Sequence, residues 1–174
     1  MGIKSSILSL EKYITNPRHG VGSEIFEFFS RNTPMVNIDL LIINKEKEIL
    51  LTWRDDKFYG PAWHIPGGVV RYGETLENRV HLVANQELGC KIHFNKNPIL
   101  INELFDSAKE ARGHFISFLY LCDIKSNPNE ELQHQPYAGK SIINGHWKWH
   151  KKIPTNFLDS QHIYIPKINK FILP

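Results

Sequence analysis

The chain reads as short helices up to position 34 and as a strand-rich pattern after it. Residues 6–14 and 23–30 each predict a short helix, the second opened by Ser23-Glu24-Ile25-Phe26 and closed by Pro34. Asn16-Pro17-Arg18-His19-Gly20 between them predicts a loop. From Met35 the rhythm shortens: residues 36–43 and 49–53 predict strands, joined by a turn at Asn44-Lys45-Glu46-Lys47. A loop with Gly60 and Pro61 leads to Trp63-His64-Ile65-Pro66 and the pair Gly67-Gly68, which fits a turn before a helix over 74–88, stopped by Gly89. Further strands are expected at 91–94, 99–105, 114–124 and 146–149, and a last helix within 155–173, interrupted at Pro166. This order predicts a mixed α/β layered domain over 35–174 behind an N-terminal helical extension, 1–34.

Bulk properties narrow the classes. A length of 174 residues fits one domain rather than two. A net charge of +3, with no lysine or arginine stripe, suits an anionic small molecule and argues against a nucleic-acid partner. No run of about 18 apolar residues predicts a membrane span, and the first eight residues lack the pattern of a secretory leader, so a cytoplasmic location is expected. The two cysteines, Cys90 and Cys122, each sit beside apolar residues and are expected to be buried and unpaired.

The helix over 74–88 contains an anomaly. At about 100° per residue, Val80 falls about 40°, Val83 about −20° and Ala84 about 80° from Leu76, which defines the buried arc. Glu87 falls about 20° from Leu76, inside that arc. A carboxylate there is expensive unless it is paired or binds a cation; the alternative is that it escapes to solvent at the helix end. Glu74 and Glu77 suit the positive end of the helix dipole.

Gly68, Glu74, Glu87 and Gly89 are spaced as in the Nudix box, G-x5-E-x7-R-E-U-x-E-E-x-G-U with U aliphatic, which this segment resembles. The middle departs from it. Leu82 stands at the arginine, leaving Glu74 without its usual partner, while Val83 and Gln86 replace two of three carboxylates. Thr33-Pro34-Met35-Val36, Asp39, Leu50-Leu51, Arg54, Trp63, Pro66-Gly67-Gly68, Glu74-Thr75-Leu76-Glu77 and Glu87-Leu88-Gly89 resemble the GDP-mannose mannosyl hydrolase branch of that superfamily.

The resemblance implies an α/β/α sandwich with a mixed central sheet. It also implies one Mg²⁺, with Mn²⁺ as the alternative ion, held by Glu87, the Gly67 carbonyl and Gln133. Arg54 would meet the phosphates. The general base would be His134, directly after Gln133, or, in a different alignment, His146. Val69 and Phe115 replace a family arginine and tyrosine, which leaves sugar and nucleobase open. The implied reaction on a nucleotide sugar is attack by water at the anomeric carbon. The alternatives are attack at phosphorus, as in a pyrophosphatase, or a non-catalytic nucleotide-sugar-binding protein.

Other residues fill out the expectation. Asp39, between Ile38 and Leu40, is placed to face inward and accept donors from a base edge; His114 faces either the substrate or a sheet edge. His64 is expected to be structural, and Trp53, Trp63, Trp147 and Trp149 to pack. Ile25, Phe26, Phe28 and Phe29 crowd into five residues and ask for burial beyond one short helix, so a homodimer is expected.

Overall fold

A computed structural model describes residues 2–135 and 141–173. Two helices come first, α1 (Ile3–Glu11) and α2 (Ser23–Asn32), joined through a 3₁₀ turn at Pro17–His19. The larger sheet is built on β1 (Met35–Ile42) and β7 (His114–Ile124), which run parallel with Met35 opposite Phe115 and Asp39 opposite Leu119. β4 (Gly67–Val69) pairs antiparallel on the free edge of β1; β5 (Ile92–Phe94) and β6 (Leu100–Phe105) share the other edge of β7. A second, antiparallel sheet has the order β3 (Ala62–His64), β2 (Ile49–Arg54), β8 (Trp147–His150). The sheets lie between α3 (Leu76–Leu88) and α4 (Ile165–Ile172), giving the mixed α/β sandwich expected.

The strand period explains the two cores. Ile38, Leu40 and Ile42 alternate onto the α3 side, where they meet Val80, Val83, Ala84 and Leu88. Leu41 points the other way, into a cluster with Leu51, Trp63, Tyr164 and Ile168. Each such aliphatic side chain, fully buried, contributes about 1.5–3 kcal/mol. Cys90 and Cys122 are buried and free, as expected. No helix among the described residues is long and apolar enough to cross a membrane.

Two local readings change. Gly67-Gly68 is not a turn but part of β4, with Gly67 opposite Asp39 in the ladder. A Cβ on Gly67 would strike the Asp39 carboxylate, and one on Gly68 would lie 3.0 Å from Val83 Cγ2, so both positions need the absence of a side chain. Pro166 does not interrupt a helix but sits in the first turn of α4, where its missing N–H costs nothing.

The apolar cluster of α2 is largely taken up within the chain. Ile25 is buried, Phe26 lines a cleft and Phe28 is 43% exposed. The apolar side chains left in solvent on the extension are Ile3, Ile7, Leu8 and Tyr13. Lys57 Nζ reaches Glu27 Oε1 at 2.8 Å, and Ser30 Oγ accepts the Arg112 N–H at 3.1 Å, so α2 is tied to two loops of the body.

The loop between β4 and α3 is anchored by an ion pair that the box pattern does not predict. Glu74 is not left without an arginine: Arg79, three positions before Leu82, supplies the guanidinium from nearly one helical turn earlier. Arg79 Nε donates to Glu74 Oε2 at 2.8 Å and Nη2 to Oε1 at 2.6 Å, while the Arg71 N–H donates to Oε2 at 2.9 Å. The Arg79 and Glu74 side chains are only 3% and 9% exposed. Removing one member of such a pair strands the other, so Arg79→Met should cost about 3–5 kcal/mol in urea unfolding, with Glu74→Gln costing less, about 1–3 kcal/mol. A loss below about 1 kcal/mol for Arg79→Met would show that the pair does not hold the loop.

Candidate active site

A cleft of about 880 Å³ opens where the N-terminal halves of β1 and β7 meet the loops over 55–61, 106–113 and 155–161. Asn37, Asp39, Arg54, His64, Gly67 and Phe26 are among its walls. The sequence accounts for its position: β4 is too short and too poor in side chains to fill the space beside β1, and α2 closes the far side.

Asp39 organises the inner wall. It is 2% exposed, and its oxygens accept from Ser117 Oγ, Tyr164 Oη at 2.7 Å and Gln161 Nε2 at 3.3 Å. Burial raises its pKa, and the donors from Ser117 and Tyr164 oppose that rise. Asp39 is expected to accept donors from a base edge; it lines the cleft, and its oxygens already accept from its own chain. Gln161 continues the network, accepting the Ile65 N–H at 2.7 Å.

Glu87 stands behind Gly67. Its Oε1 accepts the Gly67 N–H at 3.2 Å, and its Oε2 lies 3.5 Å from Thr52 Oγ1. Thr52 Oγ1 is 3.0 Å from His64 Nε2, whose Nδ1 is 2.9 Å from the Ile65 carbonyl. Desolvation lowers the His64 pKa to about 4, so the ring is neutral. A carbonyl only accepts, which puts the ring proton on Nδ1 and leaves Nε2 to take the single Thr52 proton. Glu87 Oε2 is thereby left without a strong donor. Desolvation, the leading cause, pushes the Glu87 pKa up to about 7, although the residue is partly exposed; the Gly67 N–H and Arg54 pull it down. No cationic side chain forms an ion pair with it among the described residues.

A carboxylate so short of donors fits a hard divalent cation, with backbone oxygen and water completing the shell. It does not fit a cluster of ions. Val83, at one box carboxylate position, is 2% exposed in the core, and Gln86, at another, faces solvent. No group of three His, Cys, Asp or Glu side chains able to hold a metal occurs among the described residues.

Arg54 lines the cleft, with Nε 2.6 Å from Asp56 Oδ2 and the guanidinium 4.3 Å from the centroid of the Tyr59 ring. The remaining expected residues are not brought to it. His114 is paired with Glu103 at 2.8 Å and packs on Phe105, which makes it an edge histidine rather than a substrate contact. Gln133 bridges to Trp147 beside β8 and lies outside the cleft lining. His134 and His146 stack on each other, centroids 6.0 Å apart, and His134 lies 6.2 Å from Trp63. Trp63 and His64 are neighbours in β3 and point to opposite faces, so these two histidines are on the face away from Glu87. The alternation of β3 sets the histidine pair apart from the carboxylate that a base would have to serve.

Sequence reasoning missed Gln161, which lines the inner wall, and Thr52 and Tyr164, which are buried behind it. A polar residue inside the apolar run over 49–53 was a signal for Thr52. The tail residues left none, because only tertiary structure brings them to Asp39.

Comparison with known proteins follows this geometry. A family model described as NUDIX domain matches residues 33–153. The low-salt glycan biosynthesis protein Agl8 of Haloferax volcanii is 28% identical over 92 residues, which cover 53% of this chain and 58% of that protein. An ADP-ribose pyrophosphatase of Methanocaldococcus jannaschii is 32% identical over 91 residues, 52% of each. The chain thus spans about half the length of these curated relatives. The structure of a MutT NUDIX hydrolase from Burkholderia pseudomallei superposes with a TM-score of 0.57 at 19% identity, covering 78% of this chain and 98% of that one. A UDP-X diphosphatase structure gives a TM-score of 0.57 at 13% identity over 97% and 79%. At such identities the likeness is one of fold.

The histidine face carries a pH dependence. Burial, then Lys148 and His134, lower the His150 pKa to about 4, and its Nε2 is buried without a partner. The unfolded chain takes up that proton near pH 6.5 and the folded chain only near 4. Stability from this group is therefore complete above about pH 6.5 and declines as pH falls toward 4. His64 adds the same sign in the same window. Glu87 and Asp39, whose pKa values are raised, contribute with the opposite sign. Across this range the melting temperature of His150→Gln should therefore gain on the parent's as pH falls; an unchanged difference would remove His150 from the account.

Proposed function

Because the chain belongs to the NUDIX domain family, we propose that it is a divalent-metal-dependent hydrolase of a nucleoside diphosphate sugar, with water attacking the sugar's anomeric carbon. The observation that carries this reading is the single donor-poor carboxylate of Glu87 in place of a carboxylate cluster. Attack at phosphorus must stabilise charge growing on the reacting phosphoryl group; attack at carbon needs only a good diphosphate leaving group.

Glu87 and the backbone carbonyl of Gly67 would hold one Mg²⁺, with Mn²⁺ as the alternative. When bound, such an ion supplies charge neutralisation to a departing diphosphate. Arg54 would bind the same diphosphate and is oriented by Asp56 and Tyr59. His64 and Thr52 fix the Glu87 side of the site and move no proton, since both His64 nitrogens are engaged. Asp39, Gln161 and Tyr164 keep β4 and the chain after β3 in register with the ligand. The proposal gives His134 and His146 no proton transfer, because β3 separates them from Glu87.

A second reading, cleavage of the P–O–P bond, is favoured by the relative named ADP-ribose pyrophosphatase. Reaction in ¹⁸O-labelled water with a nucleotide-sugar panel and Mg²⁺ separates the two: label in the sugar supports attack at carbon, and label in a phosphate overturns it. In the same assay Glu87→Gln should reduce turnover by more than about tenfold at saturating Mg²⁺. Its melting temperature should match or exceed the parent's, because a desolvated charge has been removed. A variant that keeps its rate would make Glu87 structural.

A further inference from the structure

Beyond Arg54 the cleft becomes cationic and aromatic, and we infer that Lys109 and Arg112 form a receptor for a second anionic group at the end of the substrate away from Glu87. This rests on the reading of the cleft as a nucleoside diphosphate sugar site and names what the distal part of that ligand carries.

The loop over 55–61 presents Phe58 and Tyr59, each flanked by two cations. Arg54 stands 4.3 Å and Lys109 3.7 Å from the centroid of the Tyr59 ring; Lys57 stands 4.5 Å and Arg112 4.0 Å from that of Phe58. Arg112 also covers the Phe26 ring of α2 at 4.7 Å. A chain of this length would be expected to hold about two cation–π contacts. Here five fall around one cleft. Ordinary surface packing does not concentrate them so.

Two cations of this cluster have no close ion-pair partner among the described residues; Asp106 acts on Lys109, and Glu27 on Arg112, only at longer range. Asp56 is taken by Arg54, and Glu27 by Lys57. Asp106 Oδ1 accepts the Ala108 N–H at 3.1 Å. Neither Lys109 nor Arg112 forms an ion pair among the described residues. Arg112 Nε is buried with no hydrogen-bond partner, and Lys109 reaches only the Phe58 carbonyl, at 3.4 Å. Burial lowers the Lys109 pKa.

The backbone holds Arg112 in place despite a cost. Its φ of 57° is in the left-handed region, which a non-glycine residue rarely adopts. The Ser30 hydroxyl accepts its N–H, and the Tyr59 hydroxyl donates to its carbonyl at 2.7 Å. A donor set fixed this firmly and left unpaired, in a ligand-sized cleft, points to an external partner.

The partner is a separate group from a diphosphate at Glu87. Lys109 and Arg112 lie in the turn before His114, and the Lys109 ammonium reaches back over the Tyr59 ring that Arg54 also covers. Arg54 acts on the charge of both Glu87 and Lys109, and so stands between the two. A diphosphate between a cation on Glu87 and Arg54 is neutralised there, which leaves Lys109 and Arg112 for an anion on what the diphosphate carries: a carboxylate on the sugar or a further phosphate.

Calorimetric titration of the full chain with Mg²⁺ tests this on matched pairs: UDP-glucuronate against UDP-glucose, GDP-mannuronate against GDP-mannose, and diadenosine tetraphosphate against diadenosine diphosphate. In at least one pair the more anionic member should bind about 10- to 100-fold more tightly. That ratio should collapse toward one in Arg112→Met and in Lys109→Met; the second variant decides if the first fails to fold. A preference in a uronate pair identifies the group as a carboxylate. A preference confined to the tetraphosphate pair, with neither nucleotide sugar bound, keeps the receptor and overturns the nucleotide-sugar reading. Hydrolysis of both members of a sugar pair with equal affinity keeps that reading and overturns the receptor. Equal losses for both members in the variants also overturn it, by showing that the cations serve the nucleobase or the fold. Binding of none of the ligands overturns both.

Discussion

The Asp39 carboxylate is the fixed point of the site. Burying it costs free energy, and hydrogen bonds from Ser117 in β7, Tyr164 and Gln161 offset that cost. Those donors come from one strand and from the distant tail, so one side chain gathers the central sheet and the C-terminal segment. It also excludes any side chain from the facing position in β4, which must be Gly67. The bare backbone brought in by that exclusion presents the N–H that Glu87 accepts. Removal of the Asp39 charge would leave three buried donors to find new partners, and would free the strand that positions the candidate metal ligand.

Glu87 sits at the other extreme of polar satisfaction. Where Asp39 has donors enough, Glu87 has one backbone N–H and a threonine whose proton is committed to His64. The contrast separates the two carboxylates: one is satisfied within the fold, and the other is the one the proposed function assigns to a metal ion. Polar groups stay short of partners mostly where function requires it.

Much of this was legible in the sequence, for physical reasons that also explain what was not. Periodicity finds β7 over its whole length, and α1, α2, β1, β2, β5, β6 and β8 to within about three residues, because burial sets period two in strands and about 3.6 in helices. The helical wheel found Glu87, since a charge inside an apolar arc stands out. It did not single out Arg79, although that residue lies only about 40° from Val83, at the edge of the same arc. An arginine at an arc's edge reads as solvated unless its partner is known, and Glu74 lies outside the helix that sets the period. The double glycine was read as a turn because glycine signals both turns and close approach; only the position of Asp39 across the ladder decides. The histidine pair was misplaced for a related reason. The family resemblance implies His134 or His146 at the site, but the alternation of β3 turns their face away from Glu87.

The electrostatic plan of the cleft follows from these placements. Behind the inner wall, on the far side of Gly67, is a carboxylate short of donors; Arg54 lines the cleft, tied to Asp56; at the outer end are two cations without an ion pair among the described residues. An anionic linker alone would be drawn toward the outer cations and away from Glu87. A cation on Glu87 reverses that preference locally and leaves the outer cations free for a second charge. On the proposed reading, the gradient would orient a ligand only with metal and distal anion both present, and a ligand with charge at one end alone would gain no comparable registration. Because α2 supplies Phe26 to the outer end and is clamped through Glu27 and Ser30, the helical extension is part of this selection.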